Sequence, residues 1–233
     1  MLCGEKKPLL RVLDRSACGK LLDAPTSSDY SIDGHACGIE RIECTAELSR
    51  ARALDLSFNK LRTLRNLEPL TELRELKAYG NTLEDIDGLM MCYKLEHLEL
   101  HSNVIERISA SATTLTALKL LRLNNNRIQT VENLHKCRRL QELDLSHNQL
   151  ARATEALHGL RSLANLQRLS LTGNALVEVP ALRDCRSLVE LDLASNRICS
   201  VSGLKGLPNL TVLQLGNNRL ASLDSFPELP ALV

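Results

Sequence analysis

The six residues 54–59, LDLSFN, return seven more times along the chain. They reappear as LKAYGN ending at Asn81, LELHSN at Asn103, LRLNNN at Asn126 and LDLSHN at Asn148, then as LSLTGN at Asn174, LDLASN at Asn196 and LQLGNN at Asn218. The asparagines are 22, 22, 23, 22, 26, 22 and 22 residues apart. A fixed period of this length means stacked units, each packing only on its neighbours, so the chain forms one elongated domain. Within a unit, alternating Leu-x-Leu makes a short strand whose leucines point inward. The asparagine carries donors and an acceptor, and can satisfy backbone groups where the chain leaves the sheet.

A degenerate first unit appears 22 residues before Leu54. It places Ile32 on the strand, Cys37 at the asparagine position, and Ile39, Ile42, Leu48 and Ala51 in register. The array then has nine strands, centred near residues 33, 55, 77, 99, 122, 144, 170, 192 and 214. Between strands, apolar residues recur every third position, as at Leu61, Leu64, Leu67, Leu70 and Leu73. That spacing predicts 3₁₀ or single-turn segments on the outer side. Two units are longer, by one residue near Ser109–Thr114 and by four between Leu150 and Leu163, where a helical turn or two would fit.

Residues 1–29 stand outside the register and are expected to form a cap or arm, with helical spacing at Leu9, Leu10, Leu13, Ala17 and Leu21. Residues 30–233 hold the nine repeats. The register continues through Leu220, Leu223, Phe226, Leu229 and Leu232, and the strand of a tenth unit would follow. The C-terminal end is therefore expected to be uncapped, and continued or covered by a neighbour.

The chain is 44% hydrophobic but only 2% aromatic, so the core must be leucine and other aliphatic residues. A net charge of +1 provides no global field toward nucleic acid or an anionic membrane. No stretch approaches the ~20 apolar residues of a membrane span. Cys92, Cys137 and Cys185 take the repeat position of Leu70 and Leu207 and lie two units apart. At ~4.8 Å per strand they are ~10 Å from one another, beyond disulfide reach, and they read as core residues of an intracellular protein.

Without extracellular cysteine caps, the 22-residue unit N-x-[LI]-x-x-[LIV]-x-x-L over residues 30–233 resembles an intracellular class of leucine-rich repeat. That class includes regulatory subunits of protein phosphatase 1 and ciliary and axonemal repeat proteins. The resemblance implies an α/β fold, a right-handed leucine-rich repeat solenoid. Its concave face would be a parallel β-sheet and its convex face short 3₁₀ or helical segments. It also implies a non-enzymatic scaffold that binds other proteins, either as an axonemal component or as a phosphatase regulator. The terminal cap common in the class, beginning near a Tyr-Arg pair, does not appear here.

The exposed strand positions form rows on the concave face. The central row is Asp55, Lys77, Glu99, Arg122, Asp144, Ser170, Asp192 and Gln214. Before it run Ala53, Glu75, His97, Leu120, Glu142, Arg168, Glu190 and Val212; after it, Ser57, Tyr79, His101, Asn124, Ser146, Thr172, Ala194 and Gly216. Seven carboxylates face three cations, which points to an acidic partner-binding stripe. Its candidate contacts are the charged members, with His97, His101, Tyr79 and Phe58. Cross-strand pairs Lys77–Glu99 and Arg122–Asp144 are expected.

His97, Glu99 and His101 share one strand face, but residues two apart on a strand are separated by ~6.7 Å, so the histidines sit ~13 Å apart. They do not converge on a metal, and no cofactor is expected. No nucleophile stands beside an evident base. With Phe58 and Tyr79 the only rings by this face, stacking of nucleic-acid bases is poorly served. A basic run, His135, Lys136, Arg138 and Arg139, belongs to the convex side.

Overall fold

The computed structural model describes residues 9–24, 30–43, 45–151, 157–222 and 226–232. Two strands and a helix open the chain: β1 (Val12–Leu13), α1 (Arg15–Leu22) and β2 (Ser31–Asp33). After β3 (Arg41–Ile42) come β4 (Ala53–Asp55), β5 (Glu75–Lys77), β6 (His97–Glu99), β7 (Leu120–Arg122) and β8 (Glu142–Asp144). The series ends with β9 (Arg168–Ser170), β10 (Glu190–Asp192) and β11 (Val212–Gln214). All repeat strands join one parallel sheet, with β2 at one edge and β11 at the other. Ile32, Leu54, Leu76, Leu98, Leu121, Leu143, Leu169, Leu191 and Leu213 are mutual neighbours along it.

The strands centre one residue earlier than the sequence predicts, on the inward residue, so the central row closes each strand. Short 3₁₀ segments lie on the convex side at Ala46–Leu48, Ala110–Thr114, His158–Ser162 and Ser202–Leu204. The one-residue insertion forms the second of these, and Ala112 fills the apolar position. The longer insertion lies partly outside the described residues, at 152–156.

Each ladder asparagine ties its own turn to that of the preceding repeat through three bonds. Asn148 is typical: its Oδ1 accepts from Ile128 N at 2.9 Å, and its Nδ2 donates to Leu123 O and Leu145 O, each at 3.0 Å. The same three bonds recur at Asn59, Asn81, Asn103, Asn126, Asn174, Asn196 and Asn218. One residue before each asparagine position the backbone is left-handed, from Ala36 (φ 54°) to Asn217 (φ 57°). Five of the nine residues there are Gly, Asn or His, which enter this region readily, but Ala36, Phe58, Ser102 and Ser195 do not announce it.

The cysteine thiols behave as core groups. Cys92, Cys137 and Cys185 are buried thiols whose Sγ atoms face the carbonyls of Leu67, Ala112 and Leu160. Burial pushes the Cys92 thiol up to about 12, and those of Cys137 and Cys185 to about 11. None is a thiolate near neutral pH, so none is a ready nucleophile.

The N-terminal segment departs from the helical spacing expected from Leu9 onward. Val12 and Leu13 are drawn into a parallel pair with Arg41 and Ile42, and the helix starts only at Arg15. Asp14 sets that start, its carboxylate accepting from Ala17 N at 2.8 Å. Leu13, Ala17, Cys18 and Leu21 enter the same core as the repeats. At the opposite edge, Leu213, Leu215, Leu220, Phe226 and Leu229 are only partly buried, whereas the matching residues of the inner repeats are fully enclosed. Leu223 and Val233 lie outside the described residues.

Candidate protein-binding face

The sheet face divides its carboxylates between two tasks according to side-chain length. Asp33, Asp55, Asp144 and Asp192 accept from the backbone N–H two residues on, at His35, Ser57, Ser146 and Ala194, over 2.8–3.0 Å. A short carboxylate makes this turn locally, so the aspartates close the strands as well as charge the face. The glutamates are one methylene longer and reach sideways.

Arg122 lies 3.5 Å from Glu99 and 3.2 Å from Glu142, while Arg168 also grips Glu142. Lys77 pairs with Glu75 in its own strand at 2.9 Å. These contacts replace the expected pairs: Asp144 is engaged by Ser146, and Lys77 finds its closest anion beside it rather than across the strand. Counting Asp33 from the first repeat, eight carboxylates share the face with Lys77, Arg122 and Arg168, and all three cations are ion-paired. Toward β11 the face hollows into a groove lined by Glu142, Asp144, Arg168, Glu190, Asp192 and Gln214.

Burial pushes the Glu142 carboxyl up, but hydrogen bonds from Arg168 and Arg122 outweigh it and hold the group below its ordinary value near 4.5. A carboxylate lowered on folding stabilises the fold above its unfolded pKa, and that contribution is lost as pH falls through the folded value. Glu142→Gln is therefore expected to flatten the acid limb of the stability profile below pH 4.5. At pH 7 it should cost under about 1 kcal/mol, since solvent screens the pair. Urea midpoints of both proteins between pH 3 and 7 test this; parallel acid limbs would refute it.

A row of rings runs beside the acids. His35 and Phe58 meet edge to face at 5.3 Å, as do Phe58 and Tyr79, and Tyr79 stacks on His101 at 4.3 Å. Phe58 is 58% exposed and occupies the left-handed position, at φ 52°. The sequence rows begin at the second repeat, so they omit His35, and the rings look sparse because they are 21–23 residues apart in the chain. Burial lowers the His101 imidazole below its ordinary value; Glu99 opposes this and Arg122 supports it. His97 is exposed and has no part in the row.

One constellation resembles a hydrolase site and is not one. Ser57 Oγ lies 2.7 Å from His35 Nδ1 and donates to Asp55. The carboxylate holds the serine rather than orienting the histidine, and Ser57 is fully buried, so no substrate carbon can reach it. The same Asp–Ser lock recurs at Asp144 and Ser146 without a histidine, at 2.6 Å. Among the described residues no group of three or more His, Cys, Asp or Glu could hold a metal ion. No helix among them is long and apolar enough to cross a membrane. On the convex side His135, Lys136, Arg138 and Arg139 are all exposed.

Family models described as leucine-rich repeats match residues 93–150, 139–163 and 164–206. This chain is a leucine-rich repeat solenoid. Internalin C2 of Listeria monocytogenes is similar over 80% of both chains, with 27% identity and a TM-score of 0.71. The leucine-rich repeat ectodomain of the Arabidopsis thaliana membrane receptor kinase GASSHO1/SCHENGEN3, solved with Casparian strip integrity factor 2, shares the fold. It does so at 22% identity and a TM-score of 0.57, over 90% of this chain and 29% of its own. A Leptospira interrogans repeat protein does the same at 20% identity and a TM-score of 0.53, over 78% of this chain and 62% of its own. No curated protein matches the sequence. The solenoid is related to other leucine-rich repeat proteins.

Proposed function

We propose that the concave face takes a basic segment of a partner protein inside the cell, as part of a larger assembly. The observation that carries this reading is the charge of the face: eight carboxylates against three cations, each already paired, on a chain of net charge +1. Complementary charge of this kind steers association and selects partners. Buried thiols in place of disulfides among the repeat cysteines favour an intracellular setting. In the same reading the segment bearing α1 caps the first repeat.

The assembly we infer is the ciliary axoneme, which rests on the resemblance of the 22-residue unit to ciliary repeat proteins. Regulation of a Ser/Thr phosphatase is the second reading. The rings at Phe58 and Tyr79 beside the acids favour it, since that class of regulator holds its enzyme with aromatic and acidic residues. Mass spectrometry of the co-purified partner separates the two, as tubulin and dynein components or as a phosphatase catalytic subunit.

The face itself is tested by charge reversal at glutamates, because reversing the aspartates would also break the turn bonds. Glu75→Lys, Glu99→Lys and Glu190→Lys together are expected to weaken the native partner at least about tenfold and to leave the circular dichroism spectrum unchanged. Reversal of Lys136, Arg138 and Arg139 to glutamate should leave binding intact. The opposite pattern would move the interface to the convex side.

A further inference from the structure

Bulky side chains at a left-handed backbone position are uncommon. Nine repeats place a residue there, and two of those residues carry rings: Phe58 at φ 52° and His147 at φ 54°. Each is followed one repeat later by glycine at the same position, Gly80 and Gly173, and the other five residues at this position are not glycine. A Cβ on Gly80 would stand 3.0 Å from Phe58 Cδ1, and one on Gly173 would stand 2.5 Å from His147 Nδ1. Each ring therefore packs against a glycine, in space that a Cβ would crowd. The chain supplies this seat where it has a ring to hold.

The seated Phe58 ring sits at the middle of the His35–Phe58–Tyr79–His101 row. Core packing does not explain the row, because the core is aliphatic and Phe58 is more than half exposed. Two of the five Phe and Tyr residues of the chain are here, on neighbouring repeats. Beside the rings runs the central row: Asp33, Lys77 and Glu99 lie two residues before His35, Tyr79 and His101, about 7 Å away, Asp55 lies three before Phe58, and Lys77 is held by Glu75.

From this geometry we infer that the row is a ledge for arginine side chains of an extended protein segment crossing the first four repeats. Ring faces carry negative potential and attract cations. A guanidinium can stack flat on a ring while its fork reaches the neighbouring carboxylates, which an ammonium does less well. The occupant is fixed by the charge beside the rings: carboxylates repel a phosphate backbone, so the ledge does not suit a nucleic acid strand. The inference rests on the acidic-face reading and assigns that face its recognition element.

The test uses the full chain and a peptide of alternating glycine and arginine, with lysine and glutamate peptides as comparisons. Binding is followed by two-dimensional NMR of the aromatic rings. The arginine peptide is expected to shift the Phe58 and Tyr79 ring resonances and to bind more tightly than the lysine peptide, with the glutamate peptide inert. Phe58→Ala and Tyr79→Ala should each weaken it about three- to fivefold. Both rings are outside the core, and an unchanged amide spectrum away from the ledge shows that the variants fold. Glu68→Gln, exposed on the convex side, should change affinity less than twofold.

If ring variants bind as the parent does while the glutamate reversals abolish binding, the ledge is refuted and the acidic face stands. If the arginine peptide leaves the rings unmoved, the ledge is refuted outright.

Discussion

Gly88→Ala is expected to destabilise the solenoid by at least about 3 kcal/mol, more than any exposed-face substitution. The backbone there is left-handed at φ 102°, and a Cβ would lie 2.1 Å from Leu64 O and 2.5 Å from Leu64 C of the preceding repeat. The clash is with backbone, so no rotamer change relieves it, and the two repeats must separate. Asn66 and Asn133 hold matching positions in their own repeats, also with positive φ, and solve the contact differently. Their Nδ2 groups donate to Ile42 O and Ile108 O at 2.7 and 2.8 Å. Thermal and urea unfolding of Gly88→Ala measure the effect; a urea midpoint within error of the parent would mean that the repeats are not packed this closely.

The second large effect belongs to the asparagine ladder. Asn126→Ala and Asn148→Ala each leave one buried N–H, of Ile105 or Ile128, without its partner, and remove one of the two asparagine bonds to each of two carbonyls that the neighbouring ladder asparagine still serves. An unsatisfied buried polar group costs about 1–3 kcal/mol, and a loss of about 2 kcal/mol is expected for either variant. Asn218→Ala makes a useful contrast, because that side chain is only partly buried and water can replace it. Its cost should be smaller by about half. Urea midpoints ordered this way, with faster amide exchange at Ile105 and Ile128, support the ladder. Equal small losses at all three sites would contradict it.

Much of the fold was legible because period and burial are the same signal. Leu54, Leu56, Leu61, Leu64, Leu67, Leu70 and Leu73 are all fully buried, and their spacing alone places them. Even the degenerate first repeat could be read, since Ile32, Cys37, Ile39, Leu48 and Ala51 keep the register and are buried. Helical spacing at Leu9–Leu13 misled, because backbone hydrogen bonding to the segment after the first repeat's strand overrides local propensity. Leu10 N donates to Cys37 O, and Glu40 N to Arg11 O.

The sheet face was legible in its charge but not in its contacts. Which anion Arg122 chooses depends on reach: Glu99 and Glu142 extend to it, while Asp144 is spent on Ser146. The ring row was harder still. Its members come from two adjacent positions of the unit, and Phe58 reaches the others only because the backbone is left-handed there. That conformation is imposed by the repeat, not encoded by a glycine, since the position holds Ala36, Phe58, Ser102, Asn125 and Ser195 as readily as Gly80 and Gly173.

The most direct measurement of whether the sheet face is the interface is site-specific photo-crosslinking in cells. One copy of the chain carries a benzophenone side chain in place of Tyr79 and another carries it in place of Lys136 on the convex side. The expected result is a discrete partner adduct from position 79 that disappears when Glu75, Glu99 and Glu190 are reversed to lysine, and no adduct from position 136. An adduct from position 136 alone, or one from position 79 that survives the reversal, would contradict the assignment of the acidic face.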